Sequence, residues 1–143
     1  MKPHTRQFLL CAAGGAAGAL LVQLVIILLQ APRKTPETIM AEASDSMNRH
    51  LPMMIDSETQ LTATMASSRM LQYNYRLVLL DWTNVDTAVL AAAFRRRIQA
   101  GACTAPELRD RFLRKGITVR FAYADSSAHR LFSVDVTPKD CGF

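Results

Sequence analysis

No C-x-x-C, H-x-x-x-H or H-E-x-x-H spacing occurs in this chain, and its three histidines lie far apart, so the common frameworks for a bound metal ion are missing. No G-x-S-x-G turn surrounds any serine, which removes the usual frame for a nucleophilic hydroxyl. Gly14, Gly15 and Gly18 sit in an uncharged apolar run, where they cannot form a phosphate-cradling loop. There is no repeat at a solenoid period and no low-complexity tract. From residue 31 onward 15 Lys/Arg face 12 Asp/Glu, mixed in sign along the chain, which is not the basic stripe of a nucleic-acid binder. Conventional hydrolase, kinase and metalloenzyme chemistry is thereby disfavoured. The expectation is a protein that is not an enzyme, uses no cofactor and has no nucleic-acid partner.

What the chain does have is an uncharged segment from Phe8 to Leu29, interrupted only by the amide of Gln23. As a helix its 22 residues would cross a bilayer core of about 30 Å while satisfying their own backbone hydrogen bonds. Cleavage after the A-x-A sequence Ala17-Gly18-Ala19 would leave a greasy new N-terminus, Leu20 to Leu29. Lipidation at Cys11 would follow only three apolar residues, with bulky Leu9 and Leu10 where small ones are preferred. The reading adopted is an uncleaved signal anchor. Residues 1–7 form a cytoplasmic tail, 8–30 a transmembrane helix, 31–35 a stiff linker with Pro32 and Pro36 around Arg33 and Lys34, and 36–143 one periplasmic domain. Flanking cations nearly balance across the segment, so orientation rests on the cysteines. Cys103 and Cys141 both lie in the domain beside turn-forming residues, a pattern expected of a disulfide in an oxidising compartment, the alternative being two unrelated buried thiols. The expected location is the inner (plasma) membrane, single-pass, with the soluble domain in the periplasm.

Within the domain, Thr35 as N-cap with Pro36 at the first helical position starts a helix of about residues 36–50, with Ile39, Ala43, Met47 and Leu51 on one side. From Met53 the pattern becomes strand-like, with Thr59, Leu61, Ala63 and Met65 on one face, and a turn at Ala66-Ser67-Ser68 leads to the clearest alternation, Leu71, Tyr73, Tyr75, Leu77 and Leu79. Thr83 or Asn84 can cap a second helix ending at Gly101. Thr104-Ala-Pro-Glu107 reads as the capping box of a third, closed by Gly116, with Glu107/Arg111 and Asp110/Arg114 as i,i+4 ion pairs. Two strands follow, Ile117 to Ala124 and Leu131 to Val136. The order α-β-β-α-α-β-β predicts an α+β domain, an antiparallel four-stranded sheet with helices packed on one face.

Candidate chemistry is thin. His50, Asp56, Ser57 and Glu58 crowd together in sequence, as do Ser126, Ser127 and His129, but solvated turns explain both groups. Gly14-x-x-x-Gly18 is a small-residue face on which two membrane helices could associate, giving a homo-oligomer, although Gly and Ala are common in membrane helices generally. Among Arg95, Arg96, Arg97, Arg109, Arg111 and Arg114, helical geometry turns Arg96 and Arg114 away from the apolar faces, available to an acidic partner or anionic headgroups, or simply solvated and paired with neighbouring carboxylates.

The segments Leu51-Pro52-Met53-Met54, Tyr73-Asn74-Tyr75 and Thr137-Pro138-Lys139-Asp140-Cys141, in that order and with Cys103 between, resemble a group of small exported bacterial proteins of unassigned function. The resemblance spans about residues 35–143. It implies export and pairing of the two cysteines, and it carries no activity. The sequence thus points to a single-pass membrane protein whose periplasmic domain binds another envelope protein, in a structural or regulatory role for which a secretion or assembly complex is one setting. The other readings are an inhibitor giving immunity against a toxin or lytic enzyme, and an enzyme of unrecognised type. A reporter fused after Phe143 that is active only when exported is expected to be active in cells, and one that works only in the cytosol to be silent; the reverse pattern would refute the orientation.

Overall fold

The computed structural model describes residues 34–81, 83 and 85–143, together with Gln23. The chain divides into two units, Met1–Arg33 and Lys34–Phe143. The membrane segment, Gly14 and Gly18 lie outside the described residues. Among those described, no helix is long and apolar enough to cross a membrane.

The second unit is an α+β domain. Helix α1 spans Pro36–Asn48 and is followed by strands β1 (Met53–Met54), β2 (Thr59–Ser67) and β3 (Met70–Leu77). Helices α2 (Thr87–Thr104) and α3 (Pro106–Arg109) and a 3-10 turn at Leu113–Lys115 come next, then β4 (Thr118–Ala124), β5 (Arg130–Val136) and a second 3-10 turn at Pro138–Cys141. The five strands form one sheet in the order β1-β2-β3-β4-β5. Sequence reading expected four antiparallel strands, and the sheet differs twice. Met53 and Met54 pair with Leu61 and Gln60 to add a short edge strand. More consequentially, β3 and β4 are parallel, Met70 opposite Thr118 and Arg76 opposite Ala124. The intervening chain is long enough, with its helices, to return to the starting edge, as parallel pairing requires. Hairpins at β2–β3 and β4–β5 flank this central pair.

One face of the sheet is apolar and the other polar. Leu71, Tyr73, Val119, Phe121, Tyr123, Phe132, Val134 and Val136 point to the helices and are buried, joined by Met40 and Ala43 of α1 and Ala102 of α2. Leu71, Leu113, Ile117, Val119, Val134 and Val136 have no exposed surface, each such side chain contributing about 1.5–3 kcal/mol. Helix α1 lies against β2 and α2 against β5.

Local chemistry explains the element ends, and corrects several expectations. Thr35 does cap α1, its hydroxyl accepting the Thr38 N–H at 3.3 Å, and Pro36 opens the helix. Asp86, not Thr83 or Asn84, caps α2 by accepting the N–H groups of Ala88 and Val89 at 2.9 and 3.2 Å. A carboxylate at a helix N-terminus gains from the dipole as well as the hydrogen bonds. Gly101 does not end α2. Thr104 belongs to its last turn, its hydroxyl donating to the Ala100 and Gly101 carbonyls, so the capping box read at Thr104/Glu107 is not formed and α3 is a single turn. A capping box stands instead at Thr137 and Asp140, opening the last 3-10 turn. Gly116 closes the 3-10 turn at φ +75, a backbone conformation that favours glycine, and a Cβ there would displace the end of the Arg69 side chain, 2.7 Å away. Arg69 holds that position because its side chain donates to the Lys115 and Gly116 carbonyls from the tip of the β2–β3 hairpin.

Helix α1 is fixed to β2 by polar groups. The Asn48 amide accepts the Thr64 N–H at 2.8 Å and donates to the Thr64 carbonyl at 2.9 Å, occupying the two backbone groups a neighbouring strand would have used. Buried Ser44 and Thr64 hydroxyls join at 3.0 Å beside them. Asn48→Ala leaves both Thr64 backbone groups unsatisfied in a part-buried site. It is expected to lower stability by about 2–3 kcal/mol, read as a lower denaturant midpoint at unchanged m-value; Asn48→Gln is expected to recover little, because its longer arm misplaces the amide.

Candidate functional site

The helical layer does not close over the middle of the sheet. With α1 on β2 and α2 on β5, the two helical bodies leave a shallow groove between them, under which lies a ladder of rings that are themselves largely buried. Tyr73 stacks on Phe121 at 5.7 Å, Tyr75 on Tyr123 at 5.1 Å and Tyr123 on Phe132 at 4.9 Å, with Phe94 of α2 set edge-on to Tyr123 and Phe132. The register of β3 and β4 places these rings, Tyr73 opposite Phe121 and Tyr75 opposite Tyr123.

Three hollows follow the floor. One of about 450 Å³ opens between the end of β3 and α2, lined by Leu77, Leu79, Leu80, Leu90 and Phe94 with Glu58 and Thr59 at its edge. A second of about 230 Å³ lies between α1 and α3, where Met47, Tyr73 and Phe112 meet Glu107 and Arg111. The third, about 300 Å³, lies beside Met47 under Leu51, Met53 and Leu61, with His50 at its rim. Leu79 is 75% exposed at the first hollow. Contiguous uncovered apolar surface of this kind marks an interaction site more often than a solvated face.

Among the described residues the Tyr73, Tyr75 and Tyr123 hydroxyls have no hydrogen-bond partner in the protein, yet none is sealed from solvent. Of the three, Tyr73 lines the hollow between α1 and α3. Burial of the rings pushes the Tyr73 phenol up to about 12, partly offset by the Arg111 charge. Burial, then the Asp56 carboxylate, does the same to Tyr123, also to about 12. Tyr75, between the other two phenols, is raised further by burial and by both neighbours. Asp56 is held in place by accepting the N–H groups of Glu58 and Thr59 at 2.8 and 2.7 Å, the first of which is the main reason its carboxyl lies below the usual range.

The residues singled out from sequence are distributed differently. Cys103, in the last turn of α2, and Cys141, in the final 3-10 turn, are joined by a disulfide with Cα atoms 5.3 Å apart. Arg96 is exposed on α2. Arg114 is exposed but engaged, 3.1 Å from Asp110 and over the Phe143 ring at 4.8 Å. The Glu107/Arg111 ion pair is not made among the described residues; both side chains line the second hollow. His50 bonds the Ser46 carbonyl at 3.2 Å while Asp56 caps its own loop, so no hydrogen bond joins them. Asp125 accepts the His129 N–H at 2.8 Å, holding the β4–β5 turn. No group of three or more His, Cys, Asp or Glu suited to a metal ion occurs among the described residues. The tyrosines were read from sequence only as a strand face. The available signal was Tyr-x-Tyr itself, since a ring with a polar tip on a core-facing strand marks a boundary between packing and solvent.

No protein-family model matches the sequence, and no curated protein does. Solved structures share the fold. A Pseudomonas aeruginosa protein classed as secreted superposes with a TM-score of 0.61 at 9% identity, over 74% of this chain and 92% of its own. The type 2 secretion system pilotin EpsS of Vibrio vulnificus gives 0.59 at 14% identity, over 76% and 93%. The type II secretion system pilotin AspS of Vibrio cholerae gives 0.55 at 15%, over 74% and 92%. At these identities the likeness is one of fold.

Because the chain's three tyrosines are the three in the groove, its phenolate absorbance reports on this site alone. The folded protein is expected to show little phenolate at pH 10, with Tyr73 and Tyr123 half-ionised near 12. The sign is fixed by the raised folded-state values: above the ordinary value near 10 the unfolded chain loses protons first, so stability is full below pH 10 and falls as the pH rises from there. Tyrosines titrating near 10 in the folded state would contradict the arrangement.

Proposed function

We propose that this protein is a binding module of the bacterial envelope, held at the inner membrane by its N-terminal segment, and that the tyrosine-floored groove receives a segment of a partner protein from a secretion or assembly complex. The observation that carries this reading is the groove. Apolar hollows beside the helices, one at the exposed Leu79 and one where Tyr73, Met47 and Phe112 meet Glu107 and Arg111, suit an extended or helical segment with an apolar face. A ring with a hydroxyl is well fitted to such a surface, because it contributes large contact area and one directional bond at little entropic cost. The pilotin fold supports the secretion setting, since two proteins of type II secretion share this architecture over nearly their whole length. The role is structural or regulatory and needs no catalysed reaction. The exported group with LPMM, YNY and TP-x-DC motifs fits the same setting. Association of membrane helices through Gly14 and Gly18 would bring copies together without using the groove.

A photo-crosslinking residue placed at Met47 or Leu90 of the full-length protein in cells is expected to capture a component of an envelope secretion or assembly complex. The same residue at Ser133, on the opposite face, is expected to capture none. Leu79→Asp, at an already exposed position, is expected to lower capture about tenfold. Capture of a lytic enzyme or toxin from the groove would replace this reading with the inhibitor one, and equal capture from both faces would refute the groove as the site.

A further inference from the structure

The sheet face turned away from the helices carries its own organised feature. Strand register sets side chains there in rows, Gln72–Arg120–Asp135, Asn74–Ala122–Ser133 and Arg76–Ala124–Arg130. In the first row Arg120 and Asp135 neutralise each other through two parallel hydrogen bonds of 2.6 and 2.7 Å. The third row has no such compensation. Arg76 and Arg130 stand on either side of Ala124, and neither makes an ion pair among the described residues. Between them Ala122 and Ala124 leave a hollow of about 220 Å³, lined by Thr62, Asn74, Arg76 and Arg130 and also by Tyr75 and Tyr123.

Two β-bulges on different strand pairs shape this hollow. In β5, Tyr123 faces Phe132 but Ala124 faces Arg130, so Leu131 is the extra residue. Without it, Arg130 would share the parity of Phe132, Val134 and Val136 and point into the core; the bulge turns it outward, next to Ala124. In β2, Leu61 faces Tyr75 and Ala63 faces Asn74, so Thr62 is the extra residue, and it is delivered to the same rim. Side chains brace that second bulge: Thr62 donates to the Asn74 carbonyl at 2.9 Å and Asn74 donates to the Ala63 carbonyl at 3.3 Å. Bulges break the ladder locally and re-aim side chains, and here two independent breaks converge on one place.

We propose that this hollow binds a phosphoryl oxyanion, either free phosphate or the phosphate of a lipid headgroup. Flanking strands place the two arginine backbones about 10 Å apart, within the span that two long side chains close over one small anion. A carboxylate offers two oxygens, which a single guanidinium fork already satisfies, whereas a tetrahedral phosphoryl group presents further oxygens to a second fork arriving from the other side. The alanine floor supplies the room, and the Thr62 hydroxyl borders it. Tyr75 and Tyr123 also line this hollow, but its charged groups, Arg76 and Arg130, line none of the hollows beside the helices.

The test uses the full-length protein in a non-ionic detergent, with amide and arginine Nε–H signals followed by nuclear magnetic resonance. Sodium phosphate is expected to shift Ala122, Ala124, Arg76 and Arg130 saturably, and sodium chloride at matched ionic strength is not. Arg76→Gln and Arg130→Gln are each expected to weaken binding about tenfold, while Arg96→Gln, on α2, leaves it unchanged. The protein in phosphatidylcholine nanodiscs with and without phosphatidylglycerol identifies the source. Shifts of the same residues with phosphatidylglycerol, relieved by added phosphate, assign a headgroup; a response to inorganic phosphate alone assigns the free ion. Non-saturable shifts, equal shifts with chloride, or shifts insensitive to both glutamine substitutions would overturn the proposal.

Discussion

Parallel pairing of β3 with β4 at the centre of the sheet governs the arrangement of everything above it. A parallel neighbour can be reached only by a long return path, and here that path contains α2 and α3. Those helices must pack on the sheet's apolar face, where α1 already lies along β2. They settle toward β5, because Phe94 finds Tyr123 and Phe132 there and the Cys103–Cys141 bond ties the end of α2 to the segment beyond β5. The strip between the two helical bodies is what remains uncovered. The groove is therefore a consequence of topology, and the buried rings of β3, β4 and β5 lie beneath it.

The two faces of the sheet divide the labour. Toward the helices, Val, Leu and aromatic side chains supply the core and the groove. Away from them, charged and small residues form rows whose composition is set by register, with one row internally neutral and another not. The short motifs recognised in the sequence each do a definite task in this frame. In Tyr73-Asn74-Tyr75 the rings make the floor while the asparagine braces the β2 bulge on the other face. In Thr137-Pro138-Lys139-Asp140-Cys141, threonine and aspartate cap each other, proline opens the turn and cysteine completes the bridge.

Much of the domain was legible because local rules coincided with tertiary packing. Thr35-Pro36 begins α1 through hydrogen-bonding and a preset φ that hold in any context, and the alternation from Leu71 to Leu77 survives as β3. The failures have equally specific causes. The box at Thr104 and Glu107 is correct as a pattern, but Thr104 can instead return its hydroxyl to the carbonyls of the preceding turn, and α2 continues through it. Strand direction is not written in alternation, since a parallel and an antiparallel partner bury the same residues. Bulges also evade the period-two rule, because one inserted residue reverses the facing of those beyond it; Thr64 is buried and Arg130 turned outward for that reason. The groove was hidden for a different reason, in that the hollows beside Leu79 and Tyr73 depend on where two distant helices stop.

The bridge between Cys103 and Cys141 encloses α3, β4 and β5 within one covalent loop. Closing a loop of this length removes about 4 kcal/mol worth of freedom from the unfolded chain. Its second cysteine also follows the last strand in sequence, so a nascent polypeptide cannot form the bond until every strand has been synthesised. Oxidation therefore follows synthesis of the whole sheet, and a thiol still free at Cys103 marks a molecule whose final turn is not yet tied to α2.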